Sequence, residues 1–266
     1  MKKISILGCG WLGLPLAKAL LANGFLVKGS TTTVDKITVL ERFGIQPFQI
    51  VVKENEVIGN IKAFLENSEI LIIDIPPKLR GSSSENFISK IKKLLPLIEN
   101  SSIENVIFIS STAVYAEDNL VATEETNPKP VTESGKQLIE VEQLLLNTKN
   151  IKTTILRLGG LIGDDRHPVY FLAGRKSIEN PYAPINLIHQ KDSIAIILKI
   201  IETNTWNEIF NAVTPFHPTR KEYYSQKALE FNLEIPEFDE SIPSIGKLIS
   251  SEKIEKILKY RFQIIS

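Results

Sequence analysis

Gly8, Gly10 and Gly13 enclose Cys9, Trp11 and Leu12, a spacing that lets backbone N–H groups cradle an anion. Glycine first permits a tight turn, glycine second lets the main chain approach a diphosphate, and glycine third lets a helix press on a strand. The run Lys3-Ile4-Ser5-Ile6-Leu7 precedes the loop, and Leu14 to Leu21, stopped by Asn23-Gly24, follows it. The order is strand, turn, helix, which puts the diphosphate of a dinucleotide on the helix N-terminus. A second strand, Phe25 to Ser30, runs into Ser30-Thr31-Thr32-Thr33 with no carboxylate before Asp35. A carboxylate there would bind the ribose hydroxyls of NAD. Hydroxyls with Lys36 and Arg42 close by favour the 2′-phosphate of NADP, although Thr33 as a cap for the next helix fits either cofactor. The expected cofactor is NADP, with NAD open, held by Gly8, Gly10, Trp11, Leu12, Gly13, Ser30, Thr31, Thr32 and Lys36.

The other residues with chemical capacity are Ser110, Ser111, Thr112, Tyr115, Lys136 and the histidines. Taken singly, each has a plain structural reading. Ser110, Ser111 and Thr112 satisfy backbone groups at a strand end, Tyr115 is a buried aromatic with a bonded hydroxyl, and Lys136 pairs with Glu140 one helical turn on. His189 orders a turn with Asp192. His167 and His217 lack ligand spacing, so no metal site is expected.

The elements that position these residues alternate. After the first strand, loop and helix come a helix over 35–43, a strand over 48–52, a helix over 58–65 and the buried run 69–75, stopped by Pro76-Pro77. A helix over 85–95, a strand over 105–111, a helix over 134–146 and a strand over 152–158 complete the alternation. Runs apolar on both faces belong in parallel sheets, so the fold is α/β, a Rossmann-type doubly wound parallel sheet. Residues 1–160 form the dinucleotide-binding domain. Residues 161–266, richer in loops and prolines, form a small C-terminal substrate lobe, with a helix over 192–203, a strand over 208–213 and helices over 220–231 and 251–258. Within it, 190–213 is expected to return to the main sheet.

Lys plus Arg and Asp plus Glu both total 31 in 266 residues, so no basic excess points to nucleic acid or an anionic membrane. Met1-Lys2-Lys3 before an apolar run imitates a secretory leader, but the stretch before Cys9 is too short, Lys18 interrupts the longer run, and a span needs about 20 apolar residues. A single cysteine excludes an intrachain disulfide. A cytoplasmic protein acting on a small molecule is expected, and 137–146 offers either a homodimer face or an internally buried helix.

Together the motifs resemble a known family. Ile109-Ser110-Ser111-Thr112-Ala113-Val114-Tyr115 is similar to the S-S-x-A-V-Y segment of extended short-chain dehydrogenases and NAD-dependent epimerase/dehydratases. Arg157 to Gly163 resembles their R-x-x-G-x-Y-G, Asn186 to Asp192 their N-x-I-H-x-x-D, and Phe210 to Val213 their Y-N-V strand. The resemblance implies that Ser111 hydrogen-bonds the reacting oxygen and that Lys136 binds ribose hydroxyls. The glycine spacing, with Leu7 where extended members carry glycine, resembles the atypical members.

One departure bears on mechanism. The family's Y-x-x-x-K motif would place its tyrosine four residues before Lys136, where Thr132 stands. A phenol with an ordinary pKa near 10 is tuned by neighbouring cations for proton transfer, whereas an aliphatic hydroxyl is a far weaker acid and stops about 4 Å short. Tyr115 is the substitute donor to consider. Two functions stay open: an NADP-dependent oxidoreductase or epimerase-like enzyme acting on a sugar-like or nucleotide-linked molecule, and a non-catalytic NADP-binding sensor.

Overall fold

Continuous apolar runs need cover on both faces, and the folded chain supplies it. The computed structural model describes residues 2–77 and 85–264. In chain order the elements are β1 (Lys3–Leu7), α1 (Gly13–Ala22), β2 (Leu26–Thr31), α2 (Ile37–Arg42), β3 (Gln46–Gln49), β4 (Val51–Val52), β5 (Val57–Ile58), α3 (Ile61–Leu65), β6 (Ile70–Ile73), α4 (Phe87–Glu99) and β7 (Asn105–Ser111). There follow β8 (Val121–Ala122), α5 (Glu133–Leu146), β9 (Lys152–Leu158), β10 (Gly160–Ile162), α6 (Val169–Leu172), β11 (Leu187–His189), α7 (Gln190–Glu202), β12 (Ile209–Ala212), α8 (Arg220–Glu230) and β13 (Leu248–Ile249).

Seven strands form one sheet in the order β12-β9-β7-β6-β1-β2-β3, with every neighbouring pair parallel. The chain winds from β1 out to β3, then crosses back to β6 and winds the other way. The order reverses between β1 and β6, and a crevice opens at the carboxyl ends of strands at such a switch point. Period-two alternation covers both faces: Ile4, Ile6, Ile70 and Ile72 pack with Leu16 and Leu20 of α1 and Ile196 and Ile200 of α7. Leu7, Leu71 and Ile73 pack the other way, against Phe87, Ile91 and Leu94 of α4 and Leu138, Val141 and Leu145 of α5. Each side chain so enclosed contributes about 1.5–3 kcal/mol relative to exposure.

A third cluster of Ile162, Val169, Ile185, Leu187, Tyr223, Tyr224 and Ala228 joins β10, α6, β11 and α8. β10 begins two residues past the end of β9, so this cluster lies beyond the carboxyl edge of the sheet. β12 pairs with β9 and carries residues 209–212 back into the sheet. Among the described residues, no helix is long and apolar enough to cross a membrane.

Some elements differ from the sequence reading. The strand expected over 48–52 is divided: Ile50 N–H bonds Thr31 O, the chain turns, and β4 and β5 form an antiparallel hairpin. Gly59, at φ +103°, closes that hairpin where a Cβ would lie 2.0 Å from Gln49 O, so α3 starts at Ile61 and not Ile58. The helix expected over 35–43 opens as a 3-10 turn, Val34–Lys36, and Thr33 makes no side-chain cap. α4 runs four residues past Leu95, because Pro96 sits in its last turn and costs a single hydrogen bond. The helix expected over 251–258 is a π-helical turn, Ile254–Leu258, stopped by Lys259 in the left-handed region.

Candidate functional site

The glycine loop joins β1 to α1 at the switch point, and its glycines divide the work as their surroundings require. Gly8 has φ +110°, and a Cβ on it would lie 2.3 Å from Asp74 O. A Cβ on Gly13 would lie 2.1 Å from Gly8 O. A Cβ on Gly10 would meet nothing within 4 Å. Two glycines are therefore packed shut, while the third faces open space where a diphosphate can approach the main chain. The loop is tied down by Gly8 N–H to Ser30 Oγ at 2.9 Å, Cys9 N–H to Ser30 O at 2.8 Å and Gly10 N–H to Gly8 O at 2.8 Å. Ser30 thus shapes the loop from a buried position. Leu12, at the N-cap of α1, is buried and offers no side-chain cap, so the helix N-terminus is not sealed by its own sequence.

A cavity of about 390 Å³ opens beside the loop, lined by Gly8, Cys9 and Gly10, by Ser30, Thr31, Thr32 and Lys36, by Lys53, and by Asp74 and Lys90. Thr31 Oγ1 accepts from Thr33 N–H at 3.2 Å, leaving exposed Thr32 and Lys36 as the outward groups of that edge. Lys53 comes from the β4–β5 hairpin, and Lys90 is ion-paired with Glu85. Cys9 is buried against Gly29, and burial with Asp74 nearby pushes its thiol up to about 12, so it is a packing residue and not a nucleophile.

Asp74 was missed by sequence reasoning. It follows β6, accepts the Gly13 backbone N–H, and burial raises its carboxyl to about 7. The signal was there: Asp74 is the one polar residue in the run Ile70 to Ile75.

On the other side of the switch point, Ser111 ends β7 and is half-buried, its Oγ accepting from Ala113 N–H at 3.2 Å. Lys136 is exposed on the first turn of α5. Gly135 brings the two elements together, because any Cβ there would lie 2.3 Å from Ala113 O. Thr132 is the N-cap of α5, accepting from Gly135 N–H at 3.1 Å. Tyr115 points away from solvent at 1% exposure, its hydroxyl taken by Arg157 and Asn211. A phenol so enclosed does not face the loop cavity, which corrects its reading as substitute donor. Behind it, Arg157 and Glu142 form a buried pair, Nη2 to Oε2 at 2.6 Å, with Ser110 also donating to Glu142.

The pairing expected between His189 and Asp192 is absent. His189 accepts from Lys191 N–H and lies 3.4 Å from Asp164, while Asp192 receives Tyr260 O–H, Gln263 N–H and Ile264 N–H from the C-terminal segment. His167 is buried among Tyr223, Tyr224 and Phe231, and burial lowers it to about 4. Among the described residues, no cluster of three or more His, Cys, Asp or Glu side chains could hold a metal.

Against known proteins, the chain is matched over nearly its whole length. Protein YeeZ of Escherichia coli strain K12 is 34% identical over 266 residues, covering 99% of this chain and 96% of YeeZ. The chain belongs to the YeeZ family. No protein-family model matches it. The fold of this YeeZ-family protein is similar to that of the UDP-glucuronic acid 4-epimerase of Bacillus cereus in complex with NAD, with TM-score 0.81 and 18% identity, covering 98% of this chain and 92% of that one. It is also similar to MoeE5 in complex with UDP-glucose and NAD, with TM-score 0.80 and 16% identity over 99% and 94% of the two chains.

The YeeZ-family chain carries a second cavity, of about 560 Å³, in its C-terminal part. Glu117, Asn180, Asn186, Arg220, Tyr224 and Lys247 supply its polar lining. Lys247 pairs with Glu117 at 2.8 Å and donates to Tyr115 O at 3.0 Å, while Asn186 donates to Lys247 O at 2.8 Å. These contacts tie the segment after β7 to the chain before β13. Apart from Asn186, which opens the N-x-I-H-x-x-D stretch, no short motif marks these residues in the sequence, since they come from four separated segments.

Proposed function

We propose that this protein binds NADP at the glycine loop and acts as an oxidoreductase or epimerase-like enzyme on a sugar-like or nucleotide-linked small molecule. The observation that carries the reading is Gly10, whose open side faces a cavity edged by Thr32 and Lys36 with no carboxylate at the end of β2. Hydroxyl and ammonium donors there suit a 2′-phosphate, while Lys53 and Lys90 in the same cavity are ion-paired with Glu56 and Glu85. Bound nicotinamide supplies hydride chemistry. Lys136 holds ribose hydroxyls, and Ser111 orients the substrate oxygen. Arg220, Asn180 and Tyr224 supply the second cavity with groups suited to a sugar nucleotide, a class supported by the UDP-glucose bound to MoeE5.

A second reading rests on Thr132 and Tyr115. One hydroxyl is spent on a helix cap and the other is locked in a buried network, so neither supplies a phenol to the nicotinamide side. That arrangement favours a cofactor-binding protein without redox turnover, whose occupancy is sensed by a partner.

Thermal denaturation with NADPH and NADH tests binding, since a ligand at 100 times its Kd stabilises by about 2.7 kcal/mol. A shift larger with NADPH, and lost in Gly10→Leu, is the expected result; no shift with either overturns the reading. Change in reduced-nicotinamide absorbance on adding UDP-sugars separates the enzyme from the sensor.

A further inference from the structure

Trp11 is the residue through which the glycine loop is fastened to the C-terminal part of the chain. Its indole Nε1 donates to Asp165 Oδ1 at 2.9 Å, and its carbonyl accepts from Gln190 Nε2 at 2.7 Å. The indole lies against the turn 163–166, closed by Gly163 N–H to Arg166 O at 2.9 Å and Arg166 N–H to Gly163 O at 3.1 Å. A Cβ on Gly163 would come within 2.7 Å of the indole ring, so only glycine lets the turn dock so closely. The docking places the Arg166 guanidinium 5.1 Å from the indole centroid, over its face.

The charges around Arg166 are spent elsewhere. Asp164 pairs with Lys191 at 3.0 Å and lies 3.4 Å from His189, and Asp165 serves the indole. Among the described residues Arg166 has no ion pair and no side-chain hydrogen bond, so its donors are free beside the loop. The loop's own residues, Gly8 to Gly13, carry no positive charge. A dinucleotide pyrophosphate carries two negative charges, a helix N-terminus offers about half a positive one, and Asp74 already occupies the Gly13 N–H.

We infer that Arg166 binds the pyrophosphate of the dinucleotide, and that Trp11 is the positioning residue that holds Arg166 over the glycine loop. This rests on the cofactor reading above. A guanidinium fork matches two phosphate oxygens, and stacking on the indole holds a long side chain that would otherwise lose rotamer freedom on binding.

Calorimetry with three ligand groups tests the assignment: NADPH and NADH; ADP-ribose with and without a 2′-phosphate, which keeps the pyrophosphate; and adenosine 5′-monophosphate and 2′,5′-bisphosphate, which lack the bridge. Arg166→Gln is expected to weaken the first two groups about tenfold or more and the third less than about twofold. Arg166→Lys recovers part of the loss. Trp11→Phe, which keeps a ring face, binds better than Trp11→Leu. In a Trp206→Phe background, Trp11 emission responds to ADP-ribose and not to adenosine monophosphate. Unchanged ADP-ribose affinity in Arg166→Gln overturns the inference, as does an equal loss for all three groups. If the parent protein binds none of these ligands, the cofactor reading itself fails and this inference falls with it.

Discussion

Arg157 Nη1 donates to the Tyr115 hydroxyl at 2.7 Å, and that hydroxyl donates to Asn211 Oδ1 at 2.8 Å. The chain of bonds continues: Arg157 also grips Glu142 through Nε and Nη2, and Asn211 N–H donates to Glu124. Burial raises the Tyr115 phenol above its ordinary pKa, with Arg157 only partly offsetting it. Arg157 and Asn211 stand one residue from the carboxyl ends of β9 and β12, and Tyr115 follows β7, so the network ties together the ends of these three strands.

Tyr115→Phe is therefore expected to reduce stability and leave cofactor affinity alone. Removing the hydroxyl orphans an Arg157 donor and an Asn211 acceptor inside the core, at a cost of about 1–3 kcal/mol. Chemical denaturation alongside dinucleotide titration checks both halves. A large loss of dinucleotide affinity with unchanged stability would return Tyr115 to the cofactor site.

Thr132 makes an equally definite prediction. As the N-cap of α5 it satisfies Gly135 N–H, so Thr132→Ala should cost about 1 kcal/mol and Thr132→Ser almost nothing. Thr132→Tyr loses the cap and should be less stable than the parent. If Thr132→Tyr nevertheless gains turnover with NADPH and a carbonyl substrate, the site retains the rest of a reductase, with Lys136 in place. Melting temperatures and reduced-nicotinamide consumption are the two readouts.

The glycine loop, the sheet and most helices were legible because each is a local pattern: alternation along Ile4 to Leu7, helical spacing over Leu14 to Leu21, punctuation at Gly24 and at Pro76-Pro77. The β4–β5 hairpin was not, since Val51-Val52 and Val57-Ile58 are too short for periodicity and the hairpin is placed by contacts of the flanking Ile50 with Thr31 and Gly59 with Gln49. Site residues split along the same line. Gly8, Gly10 and Gly13 announce themselves by spacing, whereas Asp74, Lys53 and Arg166 reach the loop from distant segments that only the fold brings near. Tyr115 was considered as a proton donor and Thr132 only as the position of a missing tyrosine, because the bonds of Tyr115 to Arg157 and Asn211 and the cap that Thr132 makes on Gly135 N–H show only in the fold.

Asp74 supplies the pH-dependent test. Its carboxyl stands at about 7 in the folded chain against an ordinary 3.8, so the folded state holds the proton more tightly than the unfolded one. Stability from this group is complete below pH 3.8 and is lost as pH rises through 7. Facing it in the same cavity are Cys9, Lys36, Lys53, Glu85 and Lys90, with Gly13 N–H its direct partner. Asp74→Asn keeps the shape without the charge and should be more stable than the parent at pH 8 by roughly 1–2 kcal/mol, after discounting for its opening onto the cavity. At pH 4 the difference should vanish. The same charge opposes a pyrophosphate on the loop, so parent affinity for NADPH should fall as pH rises from about 6 to 8, while the variant shows a flatter profile. Melting and titration across that range decide it: parallel curves for the two proteins would mean that the Asp74 carboxylate does not titrate there and does not contend with the cofactor for the helix N-terminus.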